Sequence, residues 1–378
     1  MKKVALVANS SWYLFNFRLS FLNTLKDCGF ELVLIAPVDA YTEKLRALGF
    51  RVLPLPLDRK GMNPFGDLVS LLALARCYRV EKPDLAHHHT VKCVLYGSLA
   101  AGIARVPCVV NSVTGLGHLF LSDSTMVRLV RSLLVRLYRM VAKWKGVHFL
   151  FQNPDDLAVF EKLRIPQPGR FTLVRGSGID VDHFRPATGE PPSQGQVRVL
   201  FGSRLLKEKG LYELRQAALM LKKKGLAFEL IFAGDIDEGN PSSLTFKELA
   251  AWQGEGWMRW LGHVDDMAAL LKAVDVSVLP SWREGLPRSL LEAAACGLAI
   301  VATDVPGCRE VVEHELTGLL VPVRDPASLA AALERLIRDP ALRARLGTAA
   351  RARAEAEFAG RQIFYKTINI YNSLLSQA

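Results

Sequence analysis

Two doubly wound α/β domains, each a parallel sheet covered by helices on both faces, are the fold that this sequence predicts. Three observations lead there. Short apolar runs alternate with helical patterns from the first residues onward, which is the rhythm of βαβ units. The rhythm breaks at the Pro/Gly/polar segment Arg185–Gln196 and then restarts. The 378 residues suffice for two domains of ordinary size, each with its own core.

The elements follow in order. A strand is expected over Val4–Ala8, a helix near Leu19–Cys28, a strand over Glu31–Ala36, a helix near Thr42–Leu48 and a strand over Val52–Leu55. Further strands fit Leu85–His88, Cys108–Val113, Val147–Gln152 and Phe171–Val174. These make a first domain over 1–184, followed by a linker over 185–196. The second domain, 197–361, opens with a strand over Val197–Gly202 and a helix over Leu211–Lys224. Strands over Glu229–Ala233, Met258–Leu261, Val276–Pro280 and Ala299–Ala302 follow, with a helix opened by Pro287 and another over Pro326–Arg338. The last helical pattern, within 362–378, carries aromatic and apolar residues suited to packing back on the first domain. Two such domains are expected to present their strand ends to a shared cleft.

Composition narrows the class. Half the residues are hydrophobic and 22% charged, as in a globular protein. No run of about 18 apolar residues offers a membrane span. The basic, apolar start Met1-Lys-Lys-Val-Ala-Leu-Val-Ala8 stops at Asn9 without a small-residue cleavage pattern, so it reads as a strand and the chain as cytoplasmic. The six cysteines have no C-x-x-C pair and read as reduced core residues. A net charge of +11 calls for an anionic partner.

The most informative run is Glu284-Gly-Leu-Pro-Arg-Ser-Leu-Leu-Glu292. Its Gly-Leu-Pro turn breaks into a helix rich in small residues, so free amides at a helix start can receive a phosphate. Glu284 precedes the turn and Glu292 lies one to two helical turns beyond it, one carboxylate for hydroxyls on each side of the phosphate. A nucleoside diphosphate sugar has that layout. Two glutamates eight apart would otherwise be solvated charges; the Gly-Leu-Pro context gives the spacing its meaning. A second run, Gly202-Ser-Arg204-Leu-Leu-Lys207-Glu-Lys209-Gly210, places cations in the loop after a strand, where Arg offers a planar fork and Lys a point charge to a diphosphate.

With Ala302-Thr-Asp-Val-Pro-Gly307 and Gly176-Ser-Gly178-Ile-Asp180, these runs resemble, in order and over the whole chain, the family 4 retaining glycosyltransferases of GT-B architecture. The resemblance implies a metal-independent hexosyltransferase with no cofactor beyond its UDP-sugar donor. Arg204 and Lys209 would hold the diphosphate, Glu284 the sugar and Glu292 the ribose, beside Gly202 and the run Gly285, Leu286, Pro287 and Arg288.

A narrower resemblance rests on Phe17-Arg18, Ala36–Arg46, Asn63-Pro-Phe65, Thr114-Gly-Leu-Gly117, Asp235 and Asn240-Pro241. It is to bacterial enzymes that extend undecaprenyl diphosphate-linked sugars, among them N-acetylgalactosaminyltransferases acting on N,N'-diacetylbacillosamine. It implies a lipid-linked saccharide acceptor contacted by Asn16, Arg18, Thr114 and His118. Many family members carry a histidine at the end of the strand that here finishes Asn111-Ser-Val-Thr114. This chain has His118 four residues on, either facing the cleft or an ordinary loop histidine.

Two metal-like patterns are discounted. Asp180-Val-Asp182 lies away from the expected phosphates, and successive strand residues point to opposite faces, so of His87-His-His89 only the outer two could converge. These histidines are expected in a strand-end loop. Residues 126–145 form a basic amphipathic helix, with Arg128, Arg131, Arg136, Arg139 and Lys143 opposite Val130, Leu134, Leu137, Val141 and Trp144. That basic face is either simply solvated or drawn to an anionic membrane, which would place the protein at the cytoplasmic face of the inner membrane. Nucleic acid is not expected, because no stacking aromatics interleave the cations. Other readings are a non-catalytic sugar-nucleotide-binding subunit of a glycan assembly complex, a transferase with a different acceptor, and a two-domain solute-binding protein, against which the missing export signal argues.

Overall fold

The computed structural model describes residues 1–58, 64–114, 125–165, 167–187 and 196–378. The chain divides into two compact units, Met1–Gly178 with Gly360–Ala378, and Ile179–Ala359. The division falls after Gly178 and Ala359 rather than across 185–196, of which 188–195 lie outside the described residues.

The first unit runs β1 (Lys3–Val7), α1 (Ser11–Asp27), β2 (Glu31–Ala36), α2 (Thr42–Ala47), β3 (Arg51–Pro54), α3 (Pro64–Glu81), β4 (Leu85–His89) and α4 (Val91–Ala104). It continues with β5 (Cys108–Val113), α5 (Thr125–Ala142), β6 (Val147–Phe151), α6 (Pro154–Lys162) and β7 (Phe171–Leu173). Its strands form one parallel sheet in the order β3-β2-β1-β4-β5-β6-β7. Alternate residues serve opposite faces, so the strands must be apolar on both. Ala5, Val7, Val33 and Ile35 pack with Leu74 and Tyr78 of α3, Val94 of α4 and Val135 of α5. Val4, Leu6, Leu32 and Leu34 pack instead with Leu14 and Phe21 of α1 and with Ile363, Phe364 and Tyr371 of the C-terminal segment.

The second unit repeats the plan with β8 (Val197–Gly202), a 3-10 turn (Lys207–Lys209), α7 (Leu211–Lys223), β9 (Phe228–Ala233), α8 (Phe246–Gly254), β10 (Arg259–Trp260) and α9 (Met267–Lys272). Then come β11 (Val276–Leu279), α10 (Arg288–Ala295), β12 (Ala299–Thr303), α11 (Cys308–Val311), β13 (Leu319–Val321), α12 (Pro326–Arg338) and α13 (Pro340–Arg353). The helix α14 (Gly360–Ser376) belongs to the first unit and supplies the C-terminal residues just named. The second sheet is parallel in the order β10-β9-β8-β11-β12-β13.

Two sequence expectations change. His87 and His88 lie within the expected strand and His89 ends the observed one, so all three are buried strand residues and none is in a strand-end loop. His87 faces α14, its ring nitrogens bonded to the hydroxyls of Tyr371 and Ser112. His88 faces α3, bonded to Tyr78 and Asn111 at 2.8 Å each. The outer pair does converge, with His87 and His89 ring centroids 4.0 Å apart. The basic helix ends at Ala142, so Lys143, Trp144 and Lys145 lie beyond it. Arg128, Arg136, Arg139 and Lys143 are exposed and Arg131 half-buried, while Val135, Tyr138 and Val141 are buried. No helix among the described residues is long and apolar enough to cross a membrane.

Candidate active site

The second sheet has its topological switch point between β8 and β11: β8 continues outward to β9, and β11 the other way to β12. Loops leaving the carboxyl ends of such neighbouring strands diverge and open a crevice for ligands. Here three loops are pinned together. The Ser281 hydroxyl donates to the Glu208 and Arg283 carbonyls at 3.2 Å each, and the Trp282 amide donates to the Glu208 carbonyl at 2.8 Å. Thr303 of β12 bonds the Ser281 carbonyl.

Two glycines allow the approach. At Gly210, with φ +76°, an added Cβ would lie 2.0 Å from the Pro280 carbonyl oxygen. At Gly307, with φ +81°, it would lie 2.4 Å from the carbonyl oxygen of Gly285. Side chains at these positions would push the loops apart.

Lys209 and Glu284 meet across this seam, Nζ to Oε1 at 2.5 Å, both largely buried. The next residues turn into α10 through Gly285, Leu286 and Pro287. Pro287 is the N-cap and supplies no side-chain cap, and its carbonyl accepts the Leu290 and Leu291 amides at 3.1 and 3.3 Å, so the positive end of the α10 dipole lies beside this seam. One turn in, Arg288 Nε donates to Glu292 Oε1 at 2.7 Å. Burial pushes the Glu292 carboxyl above its usual range, with Arg288 and then His183 pulling it back.

Arg204 leaves the same loop as Lys209, beyond Gly202, but is half exposed and donates to Asp237 at 2.8 Å. Asp237 was not foreseen; it follows β9, and its amide donates to Ser243 at 2.9 Å. Nothing in the sequence singled out His183 near Glu292 either, nor Trp282, which donates to Glu213 at 3.0 Å and carries the Arg324 guanidinium 4.1 Å from its ring centre. A tryptophan two residues before Glu284, here half-buried, is the signal that could have drawn attention to that loop.

In the first unit Asn16 donates to the Trp12 carbonyl of its own helix at 3.0 Å, Arg18 is buried against Tyr13, and Thr114 is half-buried after β5. His118 lies outside the described residues. Asp180 accepts the amides of Asp182 and His183 at 3.1 and 2.9 Å, which is a turn-capping role.

Two parallel-sheet units, with Lys209, Glu284 and the start of α10 meeting at the switch point of one, are the architecture of a GT-B glycosyltransferase. The comparisons agree. Residues 187–353 match the family model of glycosyl transferases group 1, and residues 3–144 that of glycosyl transferase 4-like proteins. The chain is 30% identical to the N,N'-diacetylbacillosaminyl-diphospho-undecaprenol alpha-1,3-N-acetylgalactosaminyltransferase of Campylobacter jejuni, over 91% of this chain and 92% of that one. It is 28% identical to the UDP-Gal:alpha-D-GlcNAc-diphosphoundecaprenol alpha-1,3-galactosyltransferase of Escherichia coli, over 77% and 76%. A crystal structure of Anabaena Alr3699/HepE in complex with UDP superposes with a TM-score of 0.79 at 20% identity, over 99% of this chain and all of that one. The chain belongs to this glycosyltransferase family.

Proposed function

We propose that the protein transfers an N-acetylhexosamine, GalNAc in the first place, from a UDP-sugar to a hydroxyl of an undecaprenyl diphosphate-linked saccharide, retaining the anomeric configuration. The observation that carries the donor half is the meeting of Lys209, Glu284 and the uncapped start of α10 at the β8/β11 switch point. The resemblance to the Campylobacter jejuni enzyme, over nearly the full length of both chains, supports the sugar and the acceptor.

The chemistry is a substitution at the anomeric carbon. The acceptor hydroxyl forms the new C–O bond as the bond from that carbon to the diphosphate breaks, and the electron pair leaves with UDP. The acceptor proton passes to a leaving phosphate oxygen, so no side chain is assigned as base. The protein's part is electrostatic. Lys209, Arg204 and the α10 amides offset the charge that develops on the diphosphate, without a metal or other cofactor. Glu284 holds sugar hydroxyls and Glu292 ribose hydroxyls. Gly202 and the segment Gly285, Leu286, Pro287 and Arg288 line the donor. Asn16, Arg18, Thr114 and His118 take the acceptor side.

A lipid-linked acceptor calls for membrane proximity, and two helices favour a peripheral position at the cytoplasmic face of the inner membrane. The exposed cations of α5 suit anionic headgroups, at roughly 1 kcal/mol each near such a surface. On α3, Phe65 is 82% exposed, and Leu68, Val69 and Leu72 follow it on the same stripe, each more than half exposed.

The test is to screen UDP-sugars against undecaprenyl diphosphate-linked mono- and disaccharides with purified protein, with and without EDTA, and to determine the product linkage by NMR. An α-linked HexNAc product formed equally with EDTA supports the reading. A β-linked product, or activity only on acceptors lacking the lipid diphosphate, contradicts it.

A further inference from the structure

The first sheet has a switch point of its own, between β1 and β4, from which β1 leads to β2 and β4 to β5. Two buried polar groups at this place lack the partners that buried groups ordinarily have. Arg18 of α1 is only 6% exposed. Its Nε and Nη2 both donate to the single Tyr13 hydroxyl, at 3.2 and 2.8 Å. Among the described residues it has no carboxylate partner and Nη1 has no acceptor. Arg351, also largely buried, shows the usual arrangement: it donates to the carbonyls of Val181, Phe184 and Ala295 and pairs with Glu355.

The second group is His89, the last residue of β4, with no exposed surface and both ring nitrogens without a partner. Its ring lies 5.6 Å from that of Tyr13 and 4.0 Å from that of His87. Burial, with the charges of His87 and Arg18 adding to it, keeps His89 neutral, and burial with Arg18 does the same for His87. Among the described residues the site therefore holds one guanidinium without a carboxylate and, beside it, an imidazole with an unused N–H. Thr90, the next residue, is β-branched and held at φ +74°, and the helix α4 that follows has no side-chain cap.

An isolated buried cation is costly, and a neutral side chain would anchor Tyr13 at less expense. The missing component is an anion. We infer that Arg18 and His89 form a seat for a phosphate oxyanion at the β1/β4 switch point. Resting on the reading above for its source, this anion is the diphosphate of the lipid-linked acceptor. Arg18 supplies charge-assisted hydrogen bonds and His89 a neutral donor.

The test uses the full chain with the donor site saturated by UDP, and isothermal calorimetry with inorganic diphosphate as probe. Wild type is expected to bind diphosphate. Arg18→Met is expected to bind it at least tenfold more weakly while keeping wild-type UDP affinity and an unfolding midpoint equal to or above that of wild type. His89→Phe is expected to weaken diphosphate in the same sense. With turnover as readout, the ratio of kcat/KM for a diphosphate-linked saccharide to that for the same saccharide on a neutral alkyl chain is expected to fall at least tenfold in Arg18→Met.

Unchanged diphosphate binding in Arg18→Met would overturn the inference. So would a lowered unfolding midpoint that Arg18→Lys restores, since Arg18 would then be a structural bolt for Tyr13. Glucuronate binding in place of diphosphate would also overturn it, because the anion would then be a sugar carboxylate. Calorimetry needs no turnover, so an inactive protein that still binds diphosphate through Arg18 would count against the transferase reading alone.

Discussion

Lys209 and Glu284 come from loops 75 residues apart and are joined at 2.5 Å, so removing either leaves a largely buried charge alone as well as removing a proposed donor contact. Loss of one electrostatic donor in an active site costs about 10²–10³ in rate. Glu284→Ala, Lys209→Met and Arg204→Ala are each expected to lose at least that range in kcat/KM for the UDP-sugar. Turnover near wild type in a folded Arg204→Ala or Glu284→Ala protein would contradict the assignment.

Glu292 gives a test of a different kind. Burial raises its carboxyl above the usual range, so the folded chain binds that proton more tightly than the unfolded chain. Its contribution to stability is fully present below the ordinary carboxylate pKa of about 4.3 and is lost as the pH rises through the raised value. Glu292→Gln removes this dependence, and its unfolding midpoint should gain on that of wild type between acid and neutral pH. A difference that shrinks with rising pH would show that Arg288 outweighs burial. At this scale the sequence was legible where a run set its own local structure, as where Gly285, Leu286 and Pro287 turn into α10 between Glu284 and Glu292. It was silent where partners came from remote loops, as Asp237 does for Arg204 and His183 for Glu292.

Elements were legible in proportion to how one-sided their apolar pattern is. The cations of α5 segregate cleanly, and the helix was foreseen to within three residues at its end. α3 was missed because Phe65, Leu68, Val69 and Leu72 are apolar on its outer side while Leu74 and Tyr78 are apolar on its inner side, which erases the helical period. β13 was missed because three residues are too few to show an alternation. His87-His-His89 misled for a related reason: polar residues at a strand end read as a loop, yet each face of β4 supplies hydroxyl partners that let His87 and His88 be buried.

The turns make the firmest prediction at this scale. Gly210→Ala would set a Cβ against the Pro280 carbonyl at a positive φ, and should destabilise the protein by more than about 1 kcal/mol. Because this contact joins the β8 and β11 loops, UDP affinity should fall with it. Chemical denaturation with parallel UDP titration checks both, and intact UDP binding would show that the loops are held independently.

For the whole molecule, the rhythm of strands and helices was enough for the fold, because a sheet covered on both faces imposes apolar strands and amphipathic connections everywhere. Of its division, the return of the last helix to the first unit was legible to within two residues, Gly360 against 362, whereas the first crossing, after Gly178, comes before the conspicuous Pro/Gly run. The net charge of +11 gains meaning from where it sits. Binding to vesicles containing anionic lipid should weaken as salt rises, since the Debye length shortens from about 10 Å at 0.1 M to about 3 Å at 1 M. Arg136→Glu with Lys143→Glu should reduce binding at low salt by roughly 10-fold or more, on about 1 kcal/mol per cation. Cosedimentation that is indifferent to both salt and these changes would remove α5 from the interface.

Every role proposed for the second unit depends on where the nucleotide sugar binds. A crystal structure with UDP-GalNAc tests this most directly. The expected result places the diphosphate on the α10 amides beside Lys209, with the ribose at Glu292 and the sugar at Glu284. Donor density away from the β8/β11 switch point, with these side chains untouched, would contradict it.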